Sequence, residues 1–196
     1  MPDIILASAS PRREELLRLM GLDFRVMPSD FDESAVIQWP PEEHVLESSM
    51  GKAMDVAVDI SEGIIIGADT IVVVDEAILG KPENPDDARR MLRLLSGRSH
   101  FVYTGLCVCE MVGGMAARCL RDCVRTEVCF GDLTDETIDA YVATGEPLDK
   151  AGAYGIQERG GVLVEGIAGD YFNVVGLPVY RLSRMLAELG VPIFGS

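Results

Sequence analysis

Asp69 is the residue whose setting most needs a chemical explanation. It follows Gly63-Ile64-Ile65-Ile66-Gly67-Ala68 and precedes Thr70-Ile71-Val72-Val73-Val74, so one acid and one hydroxyl stand between two strand-like apolar runs. A carboxylate in such surroundings costs free energy unless it is paired, hydrogen-bonded or bound to a metal. So placed, it could orient and deprotonate a water molecule, or hold Mg²⁺ through oxygen. The alternative is an Asp in an exposed turn, with the two runs forming a hairpin around it.

A second group suits phosphate. Ile4-Ile5-Leu6-Ala7 reads as a buried strand and runs into Ser8-Ala9-Ser10-Pro11-Arg12-Arg13. Ser10 is a good helix N-cap, and Pro11 fits the first helical position. Free backbone N–H groups, the helix dipole, two hydroxyls and two guanidinium forks all favour a phosphate group. An ordinary capped helix with solvated arginines is the bland counterpart. Glu33 in an acidic loop, Lys52 on a long helix and Lys81 in the Gly80-Lys81-Pro82 turn are further candidates. Each would otherwise be a solvated surface charge. Residues 145–157 set Asp149 and Lys150 beside small residues and Gln157. Glycine there permits close backbone approach to a ligand, and Gln can read a base edge with its donor and its acceptor. A surface Ω-loop is the alternative.

The elements that must hold these residues alternate in kind. A helix opens at Pro11, buries Leu16, Leu17 and Met20, and stops at Gly21. A second strand covers residues 24–27, and residues 28–41 form a loop. Pro40-Pro41-Glu42-Glu43 then opens a long helix that runs to about Ile60, with Val45, Leu46, Met50, Ala53, Val56 and Ala57 as its apolar stripe. Asn84-Pro85-Asp86-Asp87 starts another helix, buried through Ala88, Met91, Leu92 and Leu95. Residues 100–110 and 117–130 read as two long strands joined at Gly113-Gly114. Thr134 caps a helix that ends by Gly145, residues 162–164 form a strand, and Pro178 opens a last helix with Leu182, Met185, Leu186 and Leu189 inward. The chain reads as one mixed α/β unit over residues 1–196, with room for two lobes around a cleft.

Composition narrows the function. The 196 residues are 48% hydrophobic, ample for a packed core. No apolar run reaches membrane-spanning length, and the N-terminus lacks a basic leader, so a cytoplasmic protein is expected. A net charge of −15 speaks against binding nucleic-acid polymers or anionic membranes. A small anion can still be held where a few basic residues focus in a cleft. The five cysteines are odd in number, which argues against a disulfide framework and for buried thiols in a sheet, with a zinc site as the alternative. His44 and His100 stand in unrelated contexts and suggest no nucleophilic pair. There is no Gly-x-x-x-x-Gly-Lys-Ser/Thr loop, which weakens a generic kinase or phosphatase reading.

Taken in order, Ser8-Ala9-Ser10-Pro11-Arg12-Arg13, Ala68-Asp69-Thr70, Gly80-Lys81-Pro82, Ser96-Gly97-Arg98, Asp149-Lys150-Ala151-Gly152, Gln157 and Asn173-Val174-Val175-Gly176-Leu177-Pro178 resemble the Maf family nearly end to end. These are nucleoside triphosphate pyrophosphatases, also described as septum-formation inhibitors. The resemblance implies a mixed twisted sheet with flanking helices and two lobes around a cleft, similar to inosine-triphosphate pyrophosphatase-like folds. It implies hydrolysis of a nucleoside triphosphate to the monophosphate and pyrophosphate with a divalent metal, Mg²⁺ or Mn²⁺, and a homodimer. It puts the proton acceptor at Asp69 and base preference at Arg12, Thr70 and Gln157. Those three match the branch that prefers dTTP and UTP. The 7-methyl-GTP branch would have Trp before the paired arginines, a residue such as Gln after the catalytic Asp, and Glu in place of Gln157. One departure is Glu158-Arg159 after Gln157, where relatives usually carry Gly.

On this reading Glu33 joins Asp69 as a metal ligand. Ser8, Ser10, Arg12 and Arg13 cradle phosphates, with Asp149 and Lys150 also at the substrate. Lys52 and Lys81 add positive charge as pyrophosphate leaves, and Thr70 and Gln157 hydrogen-bond the pyrimidine edge. A nucleotide-binding regulator of septum formation, acting through a protein partner, is the alternative from another functional class.

Overall fold

The structure, a computed structural model, describes residues 2–36 and 39–194, without the side chains of Ser34 and Ala35. Ile37 and Gln38 of the expected 28–41 loop lie outside the described residues. The strands are β1 (Ile4–Leu6), β2 (Arg25–Val26), β3 (Gly63–Val74), β4 (Ala77–Leu79), β5 (Ser99–Val112), β6 (Met115–Phe130) and β7 (Val164–Ala168). The helices are α1 (Pro11–Leu19), α2 (Pro41–Ala57), α3 (Pro85–Leu95), α4 (Asp135–Val142), α5 (Tyr171–Val175) and α6 (Val179–Glu188). The strands make one mixed sheet in the order β2-β1-β3-β5-β6-β7, with β4 paired to β3. β1 is parallel to β2 and β3, whereas β4 and β7 run antiparallel to their partners. The chain forms two compact units. One comprises Met1–Asp69, Thr104–Val124 and Gly176–Ser196, the other Thr70–Tyr103 and Arg125–Val175.

In the first unit α2 lies hard against the sheet. A β-carbon at Gly67 would collide with the carbonyl oxygen of Ser49, and one at Gly105 with that of Val45. Backbone therefore meets backbone at two crossings, and only glycine on the strands allows it. Ile5, Ala7, Ile65, Cys107, Cys109 and Met111 of the sheet bury Ala53, Val56 and Ala57 of α2 beneath them. The contact is too close for large side chains, which explains a departure from the expected stripe. Ser48 and Ser49 are fully buried, His44 is 6% exposed, and Met50 turns outward.

Asp69 does not sit in a turn. β3 is one unbroken strand through it, because nothing in Ala68-Asp69-Thr70 favours a bend. The hairpin comes later, at Asp75 and Glu76, both in the left-handed region (φ 47° and 65°) that a two-residue turn between paired Val74 and Ala77 requires. Other boundaries shift modestly. Residues 159–163 form a 3₁₀ segment, so β7 begins only at Val164. The expectation of unpaired thiols also fails at one pair. Cys109 and Cys119 flank the Gly113-Gly114 turn on β5 and β6 with Cα atoms 4.1 Å apart, and they are disulfide-bonded. The hairpin brings two sulfurs together that residue counting treats as independent. Cys107 remains a buried thiol, as expected.

The second unit is held by α3, α4 and the strand segments beneath them, with Leu92, Leu95, Phe130 and Ile138 at its centre. The N-caps anticipated at Asn84 and Thr134 are formed: Asn84 Oδ1 accepts from Asp87 N at 2.9 Å, and Thr134 Oγ1 from Thr137 N at 3.2 Å. His100 is buried here. Its Nε2 lies 2.8 Å from Tyr154 Oη, and its ring meets Phe130 edge-on at 5.1 Å. Burial pushes the imidazole down to about 4.

Two outcomes follow. Gly67→Ala should destabilise the fold by about 1–3 kcal/mol in urea unfolding, since α2 must lift from β3; an unchanged midpoint would mean the contact is soft. For His100, the unfolded imidazole takes its proton near pH 6.5 and the folded one only near 4. The unfolded state binds more protons between those values, so stability rises with pH across that window by about 3 kcal/mol in all. His100→Gln, which can still bond Tyr154, should flatten that part of the stability–pH curve. Parallel curves for the two proteins would exclude His100 as the source.

Candidate active site

Two elements of the first unit set the carboxylate at the end of an electrostatic chain. β3 delivers Asp69, only 5% exposed, and α2 delivers Lys52. Lys52 Nζ lies 2.6 Å from Asp69 Oδ1 and 2.7 Å from Glu33 Oε1, so a single ammonium clasps two carboxylates. Glu33 comes from a 3₁₀ turn, Glu33–Val36, and leaves much of its side chain in solvent. Burial pushes the Asp69 carboxyl up; the Lys52 charge, the Arg13 charge and the Lys52 hydrogen bond more than offset this and hold it below its ordinary value. Asp69 is therefore ionised at neutral pH despite its surroundings.

The Ser/Arg turn is built around Ser8. Its Oγ accepts from the Ser10 backbone N–H at 3.2 Å and from Arg13 Nη1 at 3.1 Å. Arg13 Nε also donates to the carbonyl of Gly176 at 2.9 Å, tying the start of α1 to the segment before α6. Arg13 is 9% exposed, and burial lowers its affinity for the proton while Asp69 and Glu33 oppose that effect. Ser10 occupies the N-cap position of α1 as expected, but its side chain makes no capping bond. The first-turn N–H groups are thus not closed off by their own serine. Arg12 is half-buried beside it.

The structure brings Ser8, Ser10, Arg12, Arg13, Glu33, Lys52 and Asp69 into the same unit. Thr70, Lys81, Asp149, Lys150 and Gln157 belong to the other. Within that second unit the Gly80-Lys81 turn is joined to the 150–153 segment, since Gly152 N donates to Gly80 O at 3.1 Å. Lys81 and Gln157 are exposed, and Thr70 is half-buried on β3.

Lys150 is not exposed. Its ammonium donates to Glu146 O at 2.9 Å and Asp149 Oδ1 at 2.8 Å, with Glu158 Oε1 at 3.2 Å. Its three donors are spent inside the loop. These contacts fasten residues 146–158, and Glu158, the departure noted in the sequence, is part of that fastening. Glu146 adds to it, accepting from Tyr141 Oη at 2.8 Å, Arg159 N at 3.1 Å and Gly160 N at 2.9 Å.

Sequence reasoning missed His44. It precedes Ser48 by four residues and Lys52 by eight, a spacing that puts all three on one face of α2. Its Nε2 lies 3.7 Å from Asp69 Oδ2, both side chains being buried. That helical periodicity was the available signal.

Comparison with known proteins decides the family. Residues 3–189 match the family model described as Maf-like protein. The chain belongs to the Maf-like family. A protein of Moorella thermoacetica named dTTP/UTP pyrophosphatase is 51% identical over 195 residues, covering 100% of this chain and 99% of that one. One of the same name from Methanosarcina mazei is 50% identical, covering 99% and 98%. Among solved structures, a HAM1 protein from Coxiella burnetii superposes with a TM-score of 0.52 at 14% identity, covering 96% of this chain and 100% of that one. That likeness concerns the fold, and it agrees with the expected mixed sheet and flanking helices of this Maf-like chain.

Lys52→Met should cost about 3 kcal/mol of stability near neutral pH, because it strands Asp69 as a buried unpaired charge. The pairing of a depressed carboxyl contributes above its unfolded pKa and is lost as pH falls through the folded one. The gap between wild type and variant should therefore narrow on acidification, and adding Asp69→Asn should recover much of it. A gap that is constant with pH would point to lost packing alone.

Proposed function

We propose that this protein hydrolyses nucleoside triphosphates, dTTP and UTP foremost, to the monophosphate and pyrophosphate. The observation that carries the reading is the buried, ionised Asp69 held by Lys52 in the same unit as the Ser8–Arg13 helix start. Full-length identity of 51% to a protein named dTTP/UTP pyrophosphatase supports the substrate class.

The reaction asks for positioning and charge neutralisation more than for a strong base. Lys52 occupies Asp69 Oδ1, which leaves Oδ2 to orient the attacking water and take its proton. The water oxygen bonds to the α-phosphorus, the α–β bridging bond breaks, and pyrophosphate departs with the electron pair. The hydroxyl of Ser10, the first N–H groups of α1 and Arg12 receive phosphate oxygens, and buried Arg13 fixes the turn through Ser8 and Gly176. Lys52 and Lys81 balance the charge that develops on the leaving group. Arg12, Thr70 and Gln157 set base preference, with Asp149 and Lys150 shaping the loop before Gln157.

Lys52 Nζ occupies the point where the Glu33 and Asp69 oxygens converge, so a cation held by both would have to displace the ammonium. That donor set fits Mg²⁺ or Mn²⁺, which take one or two carboxylates together with substrate phosphates and water. Such a cation, held by Glu33 and Asp69, would supply charge neutralisation on the phosphates.

Residues 1–196 serve as one functional domain in this reading, working in the cytoplasm as a homodimer apart from nucleic-acid polymers and membranes. The net charge of −15 supports the exclusion of polyanions, and no helix among the described residues is long and apolar enough to cross a membrane.

A panel of dTTP, UTP, CTP, GTP, 7-methyl-GTP and ITP with Mg²⁺ or Mn²⁺, reading monophosphate and pyrophosphate separately, tests the proposal. The expected outcome is fast pyrophosphate release from dTTP and UTP, reduced by about 10²–10⁴-fold in Asp69→Asn. Near-wild-type turnover by that variant would remove Asp69 as base. Unchanged base preference in Gln157→Glu would remove the base-reading role. No turnover by folded wild type would overturn the hydrolase and leave a nucleotide-binding regulator of septum formation.

A further inference from the structure

His44 is a buried polar side chain facing Asp69 to which the mechanism above gives no part. It is 6% exposed on α2, and its Nε2 faces Asp69 Oδ2 at 3.7 Å. Oδ2 is the oxygen that Lys52 leaves open, since Lys52 binds Oδ1. On the far side of the ring, Nδ1 is buried without a hydrogen-bond partner among the described residues, and so is the hydroxyl of Ser48, one turn along the same face. A helix face pressed against a sheet is normally apolar. Here it carries His, Ser and Lys in a row leading to one carboxylate. Buried polar groups with incomplete bonding reduce stability, and such violations collect where function needs them.

We propose that His44 is a positioning residue for Asp69: its Nε2–H fixes the carboxylate plane so that Oδ2, and not Oδ1, addresses the attacking water. A separation of 3.7 Å is too long for a direct hydrogen bond. It also leaves no room for an intervening water, which would need about 5 Å between its two partners. A small rotation of either side chain closes it, and hydrogen bonds of this kind tighten when substrate is bound. Lys52 and His44 then grip the two oxygens of one carboxylate from the same helix, eight residues apart, and α2 becomes the part that aims the base.

The inference rests on the hydrolase reading, and the test separates the two. His44→Leu should lower kcat for UTP about tenfold with KM changed less than twofold, and His44→Gln, which restores an N–H donor, should recover most of it. Because Nδ1 has no partner, the Leu variant should unfold at the same temperature as wild type or higher. The decisive measurement is a cycle with Asp69→Asn: once the carboxylate is gone, His44→Leu should cost at most twofold more. Wild-type turnover combined with an unaffected kcat in His44→Leu would overturn the positioning role alone. So would equal losses from His44→Leu with and without the Asp69→Asn change, or a lowered melting temperature that accounts for the lost rate. No nucleotide turnover by wild type would bring down the hydrolase reading and this inference with it.

Discussion

A buried carboxylate must have a counter-charge, and most of the first unit can be understood as the means of supplying one to Asp69. β3 is apolar on both sides of it, so water cannot do the work. Lys52 must come from a neighbouring element, and a lysine's reach is limited. α2 supplies it, and this helix lies closer to the sheet than side-chain packing normally allows. Gly67 and Gly105 make that possible by letting the carbonyls of Ser49 and Val45 touch the strands. Small residues at the crossing follow from the same demand. The ion pair, the glycines and the serines are thus one solution rather than three separate features.

The Ser8–Arg13 turn solves a different problem with the same economy. A guanidinium buried in a helix start costs solvation free energy, and the lowered proton affinity of Arg13 reports that cost. Its bonds to Ser8 and Gly176 use the charge to brace backbone, which makes the turn rigid before any anion arrives. Ser8 takes part in this bracing as an acceptor, which leaves its O–H to donate elsewhere. Preorganised donors of this sort act without reorganising when charge develops.

What could be read from the amino-acid order divides along physical lines. Local signals were reliable: Asn84 and Thr134 cap as their types demand, Gly113-Gly114 turns the long hairpin, and Pro11 opens α1. Errors arose where tertiary contact overrides local preference. Met50 suits an apolar stripe, but the glycine crossings rotate α2 so that Ser48 and Ser49 face the sheet instead. Asp69 looks like a breaker between two runs, yet β3 continues through it, with Lys52 supplying the counter-charge from α2. The Cys109–Cys119 bond depends on strand register, which residue spacing alone does not specify. Family resemblance nominates site residues by type, but it does not say which of them make structural contacts. Lys150 is an example, since its type and position do not reveal the three contacts by which it fastens its own loop.

The depressed Asp69 carboxyl constrains what chemistry the site can perform. A carboxyl held below its ordinary value is ionised at neutral pH, which suits it to orienting a water molecule more than to strong proton abstraction. Cleavage of a phosphoanhydride is limited instead by alignment of the water and by negative charge on the phosphate oxygens. For that task an ionised, immobile carboxylate flanked by Lys52 and Arg13 is better than a basic, neutral one. The same clasp that lowers its basicity fixes its orientation, so the loss in proton affinity and the gain in aim come from one contact. On the proposed mechanism every partner of Asp69 must hold direction as well as charge, and α2, which carries both Lys52 and His44, is the element that would do so.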